Sequence, residues 1–293
     1  MSWQFERVAG PVGFTEGPVW DGAAVLFCAP RDDQILRFDP ATGACAVHHT
    51  GTLGAGGLAR DRQGRLYACQ GRGRRVVRYD PDGSVAVLAD RFAGKRLNSP
   101  NDLVVDSRGR VWFTDPCYRL DRGHLELDHE SVYRLDPRPD GRYAITRVVF
   151  DILRPNGLAF SPDEQVLYVA ESPRFMAEQR AEGVPQLRAY PVRADGSLGP
   201  MRVVYDFGDQ RGIDGLRVDA AGNVVATCGW QRSGPGPRIA VFAPDGTVLE
   251  EHPTPAAPTN LVFGGPELSD VYVTGFDGAL WRARTGRRGL LRW

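Results

Sequence analysis

The sequence predicts an all-β fold, a six-bladed β-propeller, and three observations carry this prediction. A polar pair followed by an apolar run recurs six times along the chain, each copy is followed by a turn and a second apolar run, and a third run often ends in Pro or Asp-Gly. Successive copies start roughly 40 to 58 residues apart, a spacing typical of propeller blades rather than of helical solenoids. Because the copies cover the chain, residues 1–293 are predicted to form one domain.

The first element of each copy is a polar pair that leads into a predicted innermost strand. Its clearest form is NSPNDLVVDSRGRVWFTD, Asn98–Asp115, where an Asn-Asp pair, an apolar run, a turn with Gly and a second apolar run describe one β-hairpin. When the copies are aligned on the apolar residue after the pair, the leading positions are Glu16, Gly56, Asn101, Asn156, Asp214 and Thr259.

The later elements of each copy are further strands. Runs rich in β-branched and aromatic residues, such as VWFT from Val111 and VYVT from Val271, have the composition of strands. Segments such as RYDPDG from Arg78 end a third strand, because Pro and Asp-Gly turn the chain. Three strands and an outer fourth make a blade, and six blades closed into a ring bury sheet against sheet. The Arg-rich C-terminal segment is predicted to pair with the N-terminal strand and close the ring.

Length, composition and charge exclude several classes of protein. With 293 residues, 42% of them hydrophobic, the chain can bury a large core. Its 36 basic and 36 acidic residues leave no formal net charge, so no field favours nucleic acid or an anionic membrane. The N-terminus lacks a leader pattern, and no run of about 18 apolar residues is present. We therefore expect a cytoplasmic protein, a monomer or weak homo-oligomer, that acts on a small molecule.

The cysteines and histidines do not predict a site of their own. The five Cys residues are odd in number, scattered and without a CxxC spacing, so neither a disulfide framework nor a zinc knuckle is indicated. Cys28, Cys69 and Cys228 are expected in the core, whereas the role of Cys117, beside the predicted mouth, is left open. His252 lies near a predicted outer strand and is expected at the surface.

The leading positions predict a central metal site. Innermost propeller strands run beside the axis, so equivalent residues of the six blades converge around one tunnel. Four of these positions hold oxygen donors, which are the carboxylates of Glu16 and Asp214 and the amides of Asn101 and Asn156. Such a set suits Ca²⁺, Mg²⁺ or Mn²⁺, and Zn²⁺ or Fe²⁺ can also occupy it, with coordination positions left for water and substrate. The alternative is that these side chains only cap strand ends.

Four motifs, in order along the chain, give a resemblance to a known family. They are FTEGPVW (Phe14–Trp20), NSPNDLVVDSRGRVWFTDPCY (Asn98–Tyr118), RPNGLAFSPDEQVLYVAES (Arg154–Ser172) and GIDGLRVDAAGNVVAT (Gly212–Thr227). On these residues the chain resembles the SMP-30/gluconolactonase/luciferin-regenerating-enzyme family of six-bladed propellers. The resemblance implies one divalent metal ion, with Ca²⁺ or Zn²⁺ the first candidates, surrounded by Glu16, Asn101, Asn156 and Asp214.

The resemblance also implies an activity, the hydrolysis of a sugar lactone or a related cyclic ester. The metal would polarise the carbonyl oxygen, Asp214 would orient or deprotonate the attacking water, and Asp102 would sit behind the metal. Since a carboxylate bound to a dication is a weakened base, Asp214 could instead only position the water. Two rival hypotheses remain open. The same metal could act on a non-sugar ester, a phosphotriester or a biosynthetic intermediate, or the propeller could bind a ligand without catalysis.

Substrate contacts are predicted around the mouth of the tunnel. Some relatives place an Arg two residues before the Asn of the Asn-Asp pair, but Ser99 occupies that position here, so an aldonolactone is only the default substrate. The expected contacts are Asn98, Tyr118, Arg119, Glu130 and Glu171. Two insertions, 119–131 and 172–186, are predicted to be either lids over the site or solvated loops, because long loops on a rigid scaffold commonly line sites. Trp230 is predicted to form a pocket wall.

Overall fold

The computed structural model describes residues 2–117, 125–173 and 183–291. Within this part of the chain every regular element is a strand, and the strands form six four-stranded antiparallel sheets and one two-stranded hairpin. Six sheets of four strands are the blades of a six-bladed β-propeller, so the predicted fold class is confirmed. Among the described residues no helix is both long enough and apolar enough to cross a membrane.

Each blade runs from an innermost strand beside the axis to an outer edge strand. Blade one contains β2 (Glu16–Trp20), β3 (Val25–Ala29), β4 (Gln34–Phe38) and β5 (Cys45–Thr50). Blade two contains β6 (Ala55–Arg60), β7 (Leu66–Gln70), β8 (Arg75–Tyr79) and β9 (Val85–Ala89), and the hairpin β10 (Arg91–Phe92) and β11 (Lys95–Arg96) follows it. Blade three contains β12 (Leu103–Val105), β13 (Val111–Asp115), β14 (Ser131–Pro137) and β15 (Tyr143–Val149).

The other three blades repeat this order. Blade four contains β16 (Pro155–Phe160), β17 (Val166–Glu171), β18 (Gln186–Pro191) and β19 (Arg202–Asp206). Blade five contains β20 (Ile213–Val218), β21 (Val224–Trp230), β22 (Ser233–Phe242) and β23 (Val248–Pro253). Blade six contains β24 (Pro258–Gly264), β25 (Asp270–Gly275), β26 (Leu280–Arg284) and, as its outer strand, β1 (Glu6–Ala9).

Blade six joins the two ends of the chain. Strand β1 pairs antiparallel with β26, with Glu6 opposite Arg282, so the predicted closure of the ring by the terminal strands is confirmed. The N-terminal segment also covers His252, whose ring stacks on Trp3 at 4.1 Å and whose Nδ1 accepts the Trp3 backbone N–H. Because His252 is only 4% exposed, its expected place at the surface is wrong.

A β-bulge at the start of the innermost strands directs the polar pairs towards the axis. In blades two, four, five and six the register with the second strand skips both residues of the pair, as between Ile213 and Leu216. Blade one has its shift between Glu16 and Val19. A bulge re-aims side chains and leaves backbone groups unpaired. In blade five the hydroxyl of Thr227 accepts one such donor, the Gly215 N–H, at 2.9 Å.

The innermost strands pack backbone against backbone around the axis. A Cβ on Gly157 would lie 2.6 Å from the carbonyl oxygen of Asp214 and 2.8 Å from the Cα of Gly215. A Cβ on Gly215 would in turn lie 2.2 Å from the side chain of Asn260. Glycine at the second position of the pair is therefore required wherever the next blade fills the space that a side chain would need.

Apolar side chains between neighbouring blades form the core. Trp112 of blade three is fully buried and meets Phe160 of blade four edge to face, with ring centroids 5.3 Å apart. Trp20 of blade one stacks on Tyr272 of blade six at 6.2 Å. Such pairs contribute beyond the area they bury. The predicted core cysteines are buried as expected, with exposures of 0% for Cys28 and Cys69 and 1% for Cys228.

Residues 285–291 cross the end of the ring opposite the starts of the innermost strands. The Ala220 N–H donates to the Arg288 carbonyl and the Gly289 N–H to the Leu268 carbonyl, each at 2.8 Å. Beyond these contacts, Leu290 lines an apolar cavity of about 100 Å³ together with residues of the innermost strands. The C-terminal segment thus covers this end of the ring.

The packing around the axis predicts the effect of one added methyl group. Gly157→Ala should lower the free energy of unfolding by about 2 to 3 kcal/mol, because backbone atoms of the next blade cannot move aside cheaply. Gly286→Ala is the matched control, since a Cβ there meets no atom within 4 Å and a change within about 0.5 kcal/mol is expected. Urea denaturation measures both, and equal effects of the two substitutions would contradict the packing argument.

Candidate functional site

A cavity of about 530 Å³ opens at the end of the ring where the innermost strands begin. Four of the six leading residues line it with side chains that carry oxygen: Glu16, Asn101, Asn156 and Asp214. They come from blades one, three, four and five, so the structure brings together the four donors that the repeat predicts. The leading residue of blade six differs, because the Thr259 hydroxyl is buried and donates to the Thr15 carbonyl at 2.7 Å.

Glu16 is the cavity carboxylate whose negative charge is least offset by neighbouring groups. Its Oε2 accepts the Gly17 N–H at 2.8 Å. Burial raises the pKa of Glu16 well above its usual range, and the negative charges of Asp214 and Asp102 raise it further. In the part of the chain that the structure describes, no basic side chain forms an ion pair with Glu16. The surroundings of Glu16 therefore favour either a proton or a cation.

Asp214 is held by a guanidinium and an amide. Arg211 Nη2 donates to Asp214 Oδ2 at 2.5 Å, three residues before it in the chain. Burial raises the pKa of Asp214, whereas Arg211 and a hydrogen bond to the Asn156 side chain act in the opposite direction. Asp214 is thus oriented before any ligand enters the cavity.

Asp102 lies behind the lining residues with an exposure of 1%. Its Oδ1 accepts the Leu103 N–H at 2.9 Å, and its Oδ2 accepts from Asn260 Nδ2 at 3.2 Å and lies 3.8 Å from Arg217 Nη1. Burial raises the pKa of Asp102, and the Arg217 charge opposes this shift. Asp102 is absent from the described residues that line the cavity, so it can act only through its neighbours.

Asn260 is a site residue that sequence alignment missed. It occupies the second position of the blade-six pair and is 2% exposed. Its amide donates to Asp102 and also hydrogen bonds to Glu16, which lowers the pKa of that carboxyl group. A signal was present, because blades three and six are the only copies of the repeat with a residue other than Gly at this second position.

One side of the cavity is a wall of alternating aromatic rings and guanidinium groups, which we call the aromatic-arginine wall: Phe14, Arg31, Arg211, Trp230 and Phe276. Phe276 stacks on Phe14 at 6.1 Å and lies 5.8 Å from Trp230. Arg211 covers both Trp230 and Phe276, at 5.5 and 5.2 Å from their ring centroids. Trp230 lies in the wall, as expected. The other members of the wall fall outside the repeated motif, so register could not find them.

Three of the predicted substrate contacts are engaged within the protein. The Asn98 amide donates to the carbonyls of Asp115 at 3.3 Å and His129 at 3.2 Å. Glu130 accepts the Arg154 N–H at 2.7 Å.

Glu171 forms an ion pair with Arg188 and accepts the Leu153 N–H at 3.2 Å. Asn98, Glu130 and Glu171 are at most 6% exposed, and none of them is among the described residues that line the cavity. Their contact with substrate stays a prediction, and Tyr118 and Arg119 lie outside the described residues.

Asp115 shapes the loop that carries Asn101. Its Oδ2 accepts the Asn98 N–H and its Oδ1 the Ser99 N–H, each at 2.8 Å. Ser99 and Pro100 line the cavity beside Asn101. Burial raises the pKa of Asp115 to about 7, against the lowering effect of these two hydrogen bonds.

Comparison with known proteins gives concordant matches. The sequence model of the family described as SMP-30/Gluconolactonase/LRE-like region matches residues 14–276. A gluconolactonase of Zymomonas mobilis subsp. mobilis is 31% identical over 275 residues, which cover 85% of this chain and 72% of that protein. A 6-deoxy-6-sulfogluconolactonase of Pseudomonas putida is 30% identical over 272 residues, covering 91% and 84%. The solved structure of a gluconolactonase from Xanthomonas campestris has a TM-score of 0.82 and 34% identity, covering 96% of this chain and 89% of that one.

The buried carboxyl group of Asp115 predicts a pH dependence of stability. Because its pKa is raised from 3.8 to about 7, ionisation costs more in the folded than in the unfolded protein. Its contribution is therefore fully present below about pH 4 and is lost as the pH rises through 7. Asp115→Asn removes this titration, so the excess stability of the wild type over the variant should fall by on the order of 4 kcal/mol between pH 4 and 8. Denaturant unfolding measures it, and a constant difference would contradict the burial argument.

Proposed function

The chain belongs to the SMP-30/gluconolactonase/LRE-like family, and from this premise we propose that it is a divalent-metal-dependent hydrolase that opens sugar lactones. The relatives named above support the lactonase class. The observation that carries the proposal is the meeting of two carboxylates and two amides, from four different blades, on one cavity. An aldonolactone is the default substrate within this class.

The donor set fits a dication. Glu16, Asp102 and Asp214 influence one another through their charges, and of the three only Glu16 has no basic partner in the described part of the chain. A bound cation would offset this buried negative charge. The described residues contain no group of three or more His, Cys, Asp or Glu side chains suited to a metal, so the amides of Asn101 and Asn156 complete the set. We propose that Glu16, Asn101, Asn156 and Asp214 hold the ion.

The identity of the ion follows from the donors only as a class. Carboxylate and amide oxygens are hard ligands that suit Ca²⁺, Mg²⁺ and Mn²⁺. Zn²⁺ or Fe²⁺ can also occupy such sites. Ca²⁺ and Zn²⁺ are the first candidates to test. When bound, the ion would supply an electrophile for the lactone carbonyl oxygen.

Asp214 is the residue proposed to act on water. Opening a lactone forms a bond between the water oxygen and the acyl carbon and breaks the bond from that carbon to the ring oxygen, which takes up a proton. The carboxylate of Asp214 lines the cavity and can hold this water by a hydrogen bond. Arg211 lowers the basicity of Asp214, and a cation would lower it further, so we favour positioning of the water over its deprotonation.

Asp102 and Asn260 are proposed to hold Glu16 in place. Asn260 hydrogen bonds to both carboxylates, and Arg217 Nη1 lies 3.8 Å from the Asp102 oxygen that Asn260 contacts. Partners of this kind fix the orientation of a ligand and are nearly as important as the ligand itself.

Removing the metal should abolish lactone opening. Protein stripped by a chelator and refilled separately with Ca²⁺, Mg²⁺, Mn²⁺, Zn²⁺ or Fe²⁺ is to be assayed for proton release against γ- and δ-aldonolactones. Each ring opening yields an acid, so we expect acidification above the spontaneous rate only in refilled samples. Hydrolysis at full rate by stripped protein would refute the metal requirement. One bound equivalent of metal with no lactone, ester or phosphotriester consumed would instead favour a ligand-binding propeller.

Substitution at the cavity should separate catalysis from folding. Asp214→Asn is expected to lower kcat/KM by about 10² to 10⁴-fold, because the positioned carboxylate is lost while the shape is kept. Asn156→Ala should weaken metal binding and turnover together. Asp140→Asn is the matched control, since Asp140 lies in an exposed turn of blade three and pairs only locally with Arg142. Thermal unfolding checks that each variant folds, and normal turnover by Asp214→Asn would show that the assignment is incorrect.

A further inference from the structure

Of the two arginines in the aromatic-arginine wall, Arg31 is the exposed one. The Arg31 guanidinium lies over the ring of Phe14, 5.1 Å from its centroid, whereas Arg211 lies over Phe276, the ring that stacks on Phe14. Arg31 is exposed, so its charge faces the open cavity rather than the core. Stacking on a ring restricts the guanidinium and orders it before a ligand arrives.

Arg31 differs from the other arginines that line the cavity in its ion pairing. Arg72, which also lines the cavity, forms an ion pair with Asp33 at 2.5 Å. Arg211 forms one with Asp214 at the same distance. Within the described residues no carboxylate forms an ion pair with Arg31, and its guanidinium group lies over the Phe14 ring. A cation ordered in this way, beside a cavity and outside the ion pairs of the described residues, is suited to an anionic ligand.

Lactone opening by itself accounts for only one negative charge. On the proposed function, the product carboxylate would form beside Asp214, which Arg211 holds by an ion pair. Arg31 lies over Phe14 and Arg211 over Phe276, which are the two rings of the stacked pair. Arg72 and Arg211 are already in ion pairs, so Arg31 is the guanidinium group of the cavity suited to a second anionic group, at the end of the ligand remote from the ring carbonyl.

We propose that the substrate is a lactone with an anionic substituent, a carboxylate, phosphate or sulfonate, which Arg31 binds while the ring carbonyl lies over Glu16, Asn101, Asn156 and Asp214. This assignment rests on the proposed lactonase function and narrows its substrate class. The rings of Phe14 and Phe276 would contact the carbon skeleton between the two ends. Arg31 is then a specificity-determining residue that contacts the substrate away from the reacting atoms.

A matched pair of lactones tests the proposal with metal-loaded protein. The probes are glucono-δ-lactone and its 6-phosphate, which differ by the phosphate group at the end remote from the carbonyl. We expect the phosphorylated lactone to have a kcat/KM about ten- to a hundredfold higher, the range of one hydrogen bond to a charged group. Arg31→Gln should reduce this advantage to within about twofold, because the amide keeps a hydrogen-bond donor but not the charge.

Arg142→Gln is the control for loss of a surface arginine. Arg142 is in the exposed turn of blade three, where its side chain is 80% exposed, and the preference for the phosphorylated lactone should persist in this variant. Both lactones consumed equally by the wild type would overturn the anionic class and leave the lactonase function standing. Neither lactone consumed would overturn the function itself, and the proposal with it. Arg31→Gln lowering both rates by the same factor would also overturn the proposal, since it would indicate a structural role.

Binding without turnover gives a second measurement. Calorimetric titration of metal-free protein with glucarate, which carries a carboxylate at each end, and with gluconate, which carries one, isolates the outer anion. We expect glucarate to bind more tightly, with a difference that shrinks in Arg31→Gln and at high salt. Equal affinity of the two acids for the wild type would contradict the role of Arg31.

Discussion

Close backbone contact between the innermost strands is the constraint on which the rest of this structure depends. Glycine at the second position of four polar pairs lets neighbouring strands approach until a single Cβ, as at Gly157, would overlap the next backbone. This approach narrows the axis, and the bulges turn the leading side chains towards it. In a wider ring the same side chains would not line one cavity. The packing of the blades is therefore also what assembles the site.

The innermost strands bring the carboxylates of Glu16, Asp102 and Asp214 close together at the centre of the ring. Asp102 and Asn260 are the exceptions to glycine at the second position, and they meet through a hydrogen bond of 3.2 Å. Arg217 and Arg211 offset the charges of Asp102 and Asp214, whereas Glu16 has no basic partner among the described residues and its pKa is raised well above the usual range. A buried charge without a partner is unfavourable. The buried charge of Glu16 therefore lowers the stability of the protein at a position where a bound cation would raise it. Such a loss of stability is common at functional sites.

The repeat made the four oxygen donors predictable, because equivalent positions of similar blades converge on the axis whatever the loops do. Alignment of the repeats could not tell which residue of a pair contacts the central carboxylates. In blade six Asn260 hydrogen bonds to Asp102 and Glu16, whereas Thr259 donates to the Thr15 carbonyl. Arg31 and Phe276 escaped prediction because they follow strands, where no register applies, and they meet only when the ring closes. Polar loop residues such as Glu171 are ambiguous for a different reason. They can bind a ligand or satisfy the protein's own backbone, and the sequence pattern is the same in both cases.

Because residues 285–291 cover one end of the ring, ligands have to enter and leave the cavity at the other end. The buried residues Asp102 and Asn260 lie between the cavity and the small apolar space lined by Leu290. In the described part of the ring, the cavity is therefore open to solvent at one end. A ligand that enters such a cavity must leave through the same opening. An arriving ring and a departing open-chain acid would therefore exclude one another, and the acid, as it accumulates, would compete directly with its own precursor for entry.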